Sequence, residues 1–137
     1  MMLLSVLIPV YQHHPAALLE SLGKQLQIRA AGDVEVLIGD DSVDEHTSSW
    51  HQAYSPASHP WLRIFKHPHN LGRSKGRNFL MEQAKGRFLW FLDGDVTLPD
   101  GLLAAYLEKL DGSQVVWCSG IACPEGAANN LRNWYTN

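Results

Sequence analysis

Asp93 and Asp95, separated by a single glycine, are the residues of this sequence best suited to hold a cation against a phosphorylated ligand. They follow the apolar run Phe88-Leu89-Trp90-Phe91-Leu92, where a strand would leave a sheet. In an extended strand end, residues two apart point to the same side, roughly 6.5 Å apart along the chain. Hard carboxylate oxygens suit Mg2+ or Mn2+, which keep open positions for diphosphate oxygens. Gly94 is expected to leave room for a ligand to approach the backbone closely. An isolated Asp-x-Asp is as readily a plain turn; the apolar run before it favours function.

A second acidic pair, Asp40-Asp41, also follows an apolar run. Adjacent side chains diverge, so these two are not expected to share a metal. One can buttress the following loop while the other projects into a cleft, where a carboxylate can accept a hydrogen bond from an imide nitrogen such as that of uracil. The alternative is a pair of helix N-caps. A third segment carries Arg73, Lys75 and Arg77 around Gly72 and Gly76, where a helix should begin. Free N–H groups, the positive helix end and these cations make a local anion site. The helix dipole disfavours a merely solvated basic first turn, so the segment calls for an anionic neighbour: aspartates across the cleft or a bound phosphate. His13, His14, His67 and His69 are read as solvent-facing loop residues, since no nucleophile accompanies them.

These groups need a scaffold that brings them together. Short, nearly continuous apolar runs at 3–9, 34–39 and 88–92 have the texture of parallel strands covered on both faces. Residues 61–66 alternate apolar and basic, as at a sheet edge, and 115–122 is a fifth strand candidate. Between the runs, Leu18, Leu19, Leu22 and Leu26 fall at helical spacing after Pro15. Phe79, Leu80 and Ala84 form a stripe within 73–85, and Leu102, Leu103, Tyr106, Leu107 and Leu110 repeat the pattern after Pro99. Residues 44–53 give a weaker helical signal. Alternating strands and helices predict an α/β fold with an open, mainly parallel twisted sheet flanked by helices. Ligands of such sheets bind beyond the carboxyl ends of the strands. All the groups named above then fall on one rim, together with Pro9 and Tyr11 after the first strand.

Composition bounds the partners. The 137 residues, 45% hydrophobic, suffice for one domain with a real core. A net charge of −3 and a pI near 6.1 carry no basic excess for nucleic acid or anionic lipid. Cys118 and Cys123 read as two buried thiols, not a zinc site or a disulfide scaffold, which places the chain in a reducing cytoplasm. Residues 1–11 are apolar but lack a basic n-region and a cleavage site and are too short to span a bilayer, so they read as a buried strand with no transmembrane segment.

Four motifs together resemble family 2 glycosyltransferases of the GT-A fold, a Rossmann-like architecture. They are Ser5-Val6-Leu7-Ile8-Pro9-Val10-Tyr11, Val36-Leu37-Ile38-Gly39-Asp40-Asp41-Ser42-Val43-Asp44, Asn70-Leu71-Gly72 with Arg77-Asn78, and Gly86-Arg87-Phe88-Leu89-Trp90-Phe91-Leu92-Asp93-Gly94-Asp95. The resemblance implies residues 1–123 as a nucleotide-sugar-binding domain, with 124–137 an irregular tail or the start of an acceptor region. It also implies Pro9 and Tyr11 flanking the base, Asp40 and Asp41 at the nucleotide with Asp41 matching the residue that recognises uracil, and Lys75 and Arg77 at the base or diphosphate. Asp93 falls near ribose and metal, and Asp95 matches the principal ligand of Mn2+ or Mg2+. The expected partners are a UDP-sugar or other nucleotide-diphospho-sugar donor and a sugar, glycan or lipid acceptor. No nucleic acid is expected. The expected location is the cytoplasm, with room for peripheral association at the inner face of the membrane.

The pattern departs from the family in two places. The loop after Asp41 lacks the glycine many members carry, and the chain ends soon after the fifth strand, before the region where the general base is found. Glu125, the only late carboxylate, is not assignable to that role. The alternative is a noncatalytic nucleotide-sugar-binding or interaction domain, with a homodimer as its expected form. A nucleotidyltransferase would carry a Gly-rich basic loop where this chain has Val10-Tyr11-Gln12-His13-His14. Dinucleotide-binding Gly-x-Gly-x-x-Gly and P-loop signatures do not occur.

Overall fold

The computed structural model describes residues 2–28, 32–44 and 49–110. Four strands, β1 (Leu4–Val10), β2 (Val34–Asp40), β3 (Leu62–Lys66) and β4 (Phe88–Phe91), form a sheet in the order β3-β2-β1-β4. Every pairing is parallel, with Leu4 opposite Val34 and Phe88, and Val36 opposite Leu62. The helices are α1 (Ala16–Ile28), α2 (Gly72–Gln83) and α3 (Leu102–Leu110). Within 44–53 the described helical turn is a short 3-10 segment, Ser49–Ala53. The candidate strand at 115–122, both cysteines, Glu125 and the stretch 124–137 lie outside the described residues.

Strand alternation assigns the two faces. Leu4, Val6, Ile8 and Val10 of β1, with Val34, Val36 and Ile38 of β2, pack on Leu18, Leu22 and Leu26 of α1 and Leu103 and Leu107 of α3. Leu7 and Leu37 point to the other face and meet Leu80 of α2. Complete burial of one such leucine is worth about 1.5–3 kcal/mol relative to exposure. The two central strands, buried on both sides, therefore need the continuous apolar runs they have. Gln25 joins α1 to the α3 segment: its amide donates to the Pro99 carbonyl at 3.0 Å, and its carbonyl accepts from Leu103 N at 2.9 Å.

The α2 face also holds a polar cluster near the amino ends of the strands. Glu35 accepts from Ser5 Oγ at 2.6 Å, from Lys85 N at 2.6 Å and from Arg63 Nη2 at 2.8 Å. Arg63 reaches the Gln83 carbonyl as well, at 2.7 Å. The cluster thus pins the end of α2 and the entry to β4 onto β1, β2 and β3. Gly86 fits here because a Cβ would run into the backbone nitrogen of Ser5.

Chain order fixes where a ligand can sit. The chain builds β1, β2 and β3 outward in one direction, then returns to place β4 on the other side of β1. The order reverses between β1 and β4, and the crevice beyond their carboxyl ends is the binding position such sheets offer.

Candidate functional site

The segments leaving the four strands are tied to one another at that rim. Beyond β1, Gln12 adopts a left-handed conformation with φ 48°, unusual for a residue with a side chain. Its N–H donates to Ser42 Oγ at 2.6 Å, and Ser42 N in turn donates to Asp40 Oδ1 at 2.9 Å. The first loop is therefore locked to the second through Ser42.

Asp40 is fully buried. Its second oxygen accepts from His51 Nε2 at 2.8 Å. A carboxylate so enclosed braces the loop from inside. Asp41 turns the other way and keeps some exposure, 14% of its side chain. Its Oδ1 accepts from Leu71 N at 2.6 Å and His67 Nδ1 at 3.1 Å, and its Oδ2 from Gly72 N at 2.9 Å. Burial raises its pKa, but the Leu71, His67 and Gly72 hydrogen bonds outweigh that and hold the carboxyl below its ordinary value.

Asp41 is thus the anionic neighbour that the start of α2 calls for. Asp41 caps the first turn from within the protein, accepting from Leu71 N and Gly72 N, while Arg73, Lys75 and Arg77 remain exposed. Gly72 enters the helix with φ 79°, a conformation that suits glycine, and its N–H is shared with Asn70 Oδ1 at 2.9 Å. Arg77, one turn further on, stacks over the Phe91 ring at 5.3 Å and brings its guanidinium to 4.0 Å from Asp93.

After β4 the chain does not continue extended. Gly94 and Asp95 form a turn in which Val96 N approaches the Asp93 carbonyl at 3.4 Å. The extended geometry assumed for Asp93 and Asp95 is therefore replaced by a turn, with both side chains in solvent. The space at Gly94 is also filled from within. A Cβ there would lie 2.9 Å from Val10 Cγ1 and 3.4 Å from His13 Cδ2, and His13 Nε2 meets the Gly94 carbonyl at 3.2 Å. On its Cβ side the glycine admits the protein's own first loop against the backbone.

Pro9 is half-buried at the end of β1, and Tyr11, 55% exposed, stands beyond it. The Asp41 carboxylate, the Arg77–Asp93 pair and the turn bearing Asp95 are carried by the same linked loops. Lys75 is on α2 but exposed.

Of the histidines read as solvent-facing, His13, His14 and His69 are exposed, but His67 is 4% exposed and wedged edge-on to Phe79 at 4.9 Å. His14 stacks on Trp50 at 4.8 Å and bonds Tyr54 Oη at 2.9 Å. His67 directly follows β3 and so sits on the rim with the acidic pairs, a signal available in the sequence.

Comparison with known proteins agrees with this architecture. The family model described as glycosyl transferase family 2 matches residues 5–135. A β-1,3-glucosyltransferase of Campylobacter jejuni, named for GalNAc(5)-diNAcBac-PP-undecaprenol, is 28% identical over 106 residues, covering 77% of this chain and 34% of its own length. The crystal structure of S. aureus TarS 1-349 in complex with UDP-GlcNAc superposes with a TM-score of 0.66 at 28% identity, covering 81% of this chain and 32% of that one. A mannosyltransferase from Pyrobaculum calidifontis, solved with GDP-Man and Mn2+, shares the fold with a TM-score of 0.63 at 20% identity, over 82% of this chain and 33% of that one. The chain spans about a third of the length of these relatives. With the four motifs in order on a GT-A sheet and the family match running nearly end to end, this chain belongs to glycosyl transferase family 2.

Proposed function

We propose that the chain is the donor-binding part of a glycosyltransferase that moves a sugar from a UDP-sugar to an acceptor hydroxyl. The observation that carries the reading is the meeting of α2 and the β4 loop at the reversal of strand order, where Arg77 comes within 4.0 Å of Asp93. A cation beside an acidic turn, at the crevice where such sheets bind, suits a diphosphate held jointly by a guanidinium and a metal.

Asp93 and Asp95 are the residues that would hold Mn2+ or Mg2+. Among the described residues no group of three or more His, Cys, Asp or Glu is gathered for a metal. Two exposed carboxylates fit an ion that draws the rest of its shell from phosphate oxygens and water, as these ions do, and do not fit one enclosed by protein ligands. When bound, the ion supplies stabilisation of the charge that develops on the departing diphosphate. The remaining roles belong to side chains. Tyr11 and Pro9 flank the base, Asp41 accepts its imide N–H, Asp40 braces the loop that carries Asp41, and Arg77 and Lys75 bind phosphate oxygens.

The UDP-GlcNAc complex of TarS supports a uridine donor. The undecaprenol-diphosphate in the name of the Campylobacter relative supports a lipid-linked saccharide as acceptor, met at the cytoplasmic face of a membrane. No helix among the described residues is long and apolar enough to cross a bilayer. The test is calorimetric titration of UDP into the protein with and without Mn2+. Metal-dependent binding that disappears in Asp95→Ala is expected. Equal heats with and without Mn2+, unchanged in that variant, would count against the reading.

A further inference from the structure

We propose that His67 is a positioning residue that sets base selectivity by fixing the rotation of the Asp41 carboxylate; this rests on the donor-site reading above. An ionised carboxylate only accepts hydrogen bonds. The 3.1 Å contact between His67 Nδ1 and Asp41 Oδ1 therefore requires the ring proton on Nδ1. The other nitrogen, Nε2, is buried with no hydrogen-bond partner among the described residues. Among the described residues the ring makes this one side-chain hydrogen bond, from Nδ1 to Asp41 Oδ1.

Its seat is specific. His67 packs edge-on to Phe79 and lies so close to β2 that a Cβ on Gly39 would come within 3.3 Å of its Cε1. The backbone holds it too, through His67 N to the Asp40 carbonyl at 3.0 Å. A ring fixed in this way can orient its partner.

The consequence is a count of acceptor positions. A carboxylate offers about four lone-pair directions, two on each oxygen. Leu71 N and His67 Nδ1 take both on Oδ1, and Gly72 N takes one on Oδ2. One acceptor position on Oδ2 remains. Leu71 and Gly72 both donate from the start of α2, and the torsion of an aspartate carboxylate is broad. The third donor, arriving from the end of β3, is what fixes the carboxylate plane and hence the direction of the remaining lone pair. An imide N–H, as in uracil, matches an acceptor held in that direction; the unprotonated ring nitrogen of cytosine is itself an acceptor and is rejected.

The experiment compares UDP and CDP binding in Mn2+ by calorimetry, for the wild type and three variants. The wild type should prefer UDP by about tenfold or more, the scale of one hydrogen bond to a charged group. His67→Ala should bring the two affinities to within about threefold of each other. His67→Phe fills the same space beside Phe79 without a donor and should behave like His67→Ala while remaining folded. His67→Asn offers an amide N–H near the position of Nδ1 and should restore much of the preference. The inference is overturned if His67→Phe keeps the wild-type ratio, or if UDP and CDP weaken together so that the ratio stands. Failure of the wild type to bind either nucleotide would instead defeat the donor-site reading on which it rests.

Discussion

The guanidinium of Arg77 lies 4.0 Å from the carboxylate of Asp93, and both side chains are open to solvent, 47% and 73% exposed. Water screens such a pair, so its contribution to folding is small. The Phe91 ring beneath Arg77, at 5.3 Å, supports the cation without burying it. The arrangement keeps a planar guanidinium beside an acidic turn, and under the proposed function its value lies in binding.

Arg77→Ala is accordingly expected to weaken UDP binding about tenfold in Mn2+, while moving the thermal midpoint by no more than about 2 °C. Arg77→Lys should recover only part of the affinity, because an ammonium lacks the guanidinium's fork. Calorimetry and a thermal melt on the same samples separate the two effects. A large loss of stability with unchanged affinity would remove Arg77 from the site.

Gly94→Ala tests the packing of the first loop against the acidic turn. The new methyl would press on Val10 Cγ1 at 2.9 Å. Val10 is only 5% exposed, so it has little room to yield. Overpacking of this kind costs about 1–3 kcal/mol. The strain falls on the turn that carries Asp95, and metal-dependent UDP binding should drop along with the midpoint. Gly76→Ala on α2, where a Cβ meets nothing within 4 Å, should leave the midpoint unchanged or slightly raised.

The contrast between Gly94 and the strands shows what sequence can carry. The runs that became β1 and β2 were legible because parallel strands covered on both faces must be apolar throughout, and the leucines of α1 repeat at the helical period. The rim was legible as a set of positions following strands. Its internal wiring was not. Nothing local in the chain shows that the Cβ side of Gly94 is filled by Val10, 84 residues earlier. Nor could spacing show that Asp40 faces His51 while Asp41 faces His67, since adjacent side chains diverge in directions that only the packed loops define. The turn at Asp93-Gly94-Asp95 overrode the strand geometry expected there because β4 ends at Phe91.

Ser42→Ala should be costly for so small a change. The hydroxyl is the acceptor for Gln12 N at 2.6 Å, and Ser42 is 1% exposed. Removing it leaves an N–H without its partner at a residue already held in the left-handed region, a loss of about 1–3 kcal/mol. Ser42→Thr keeps the acceptor and should lose less. Urea unfolding of the two variants gives the comparison; equal stability of Ser42→Ala and the wild type would show that the first loop does not depend on this bond.

Glu35 gives the fold a dependence on acid that the rim does not set alone. Burial raises its pKa, but hydrogen bonds from Ser5, Lys85 N and Arg63, with the Arg63 charge, outweigh that and lower it from its ordinary value. A carboxylate with a lower pKa folded than unfolded contributes stability that is fully present above the unfolded value, about 4.3, and is lost as pH falls through the folded one. Asp41, shifted in the same direction, adds to the slope. Glu35→Gln should cost about 2–3 kcal/mol at pH 7, because its amide N–H2 would turn a donor toward either the Arg63 guanidinium or the Ser5 and Lys85 donors. The gap between wild type and Glu35→Gln should then narrow as pH falls below about 4, since the wild-type carboxylate is by then being protonated. Urea midpoints measured at pH 7 and pH 3 decide the matter: a gap that stays constant or widens in acid would mean that the Glu35 charge is not what holds α2 and β4 to the sheet.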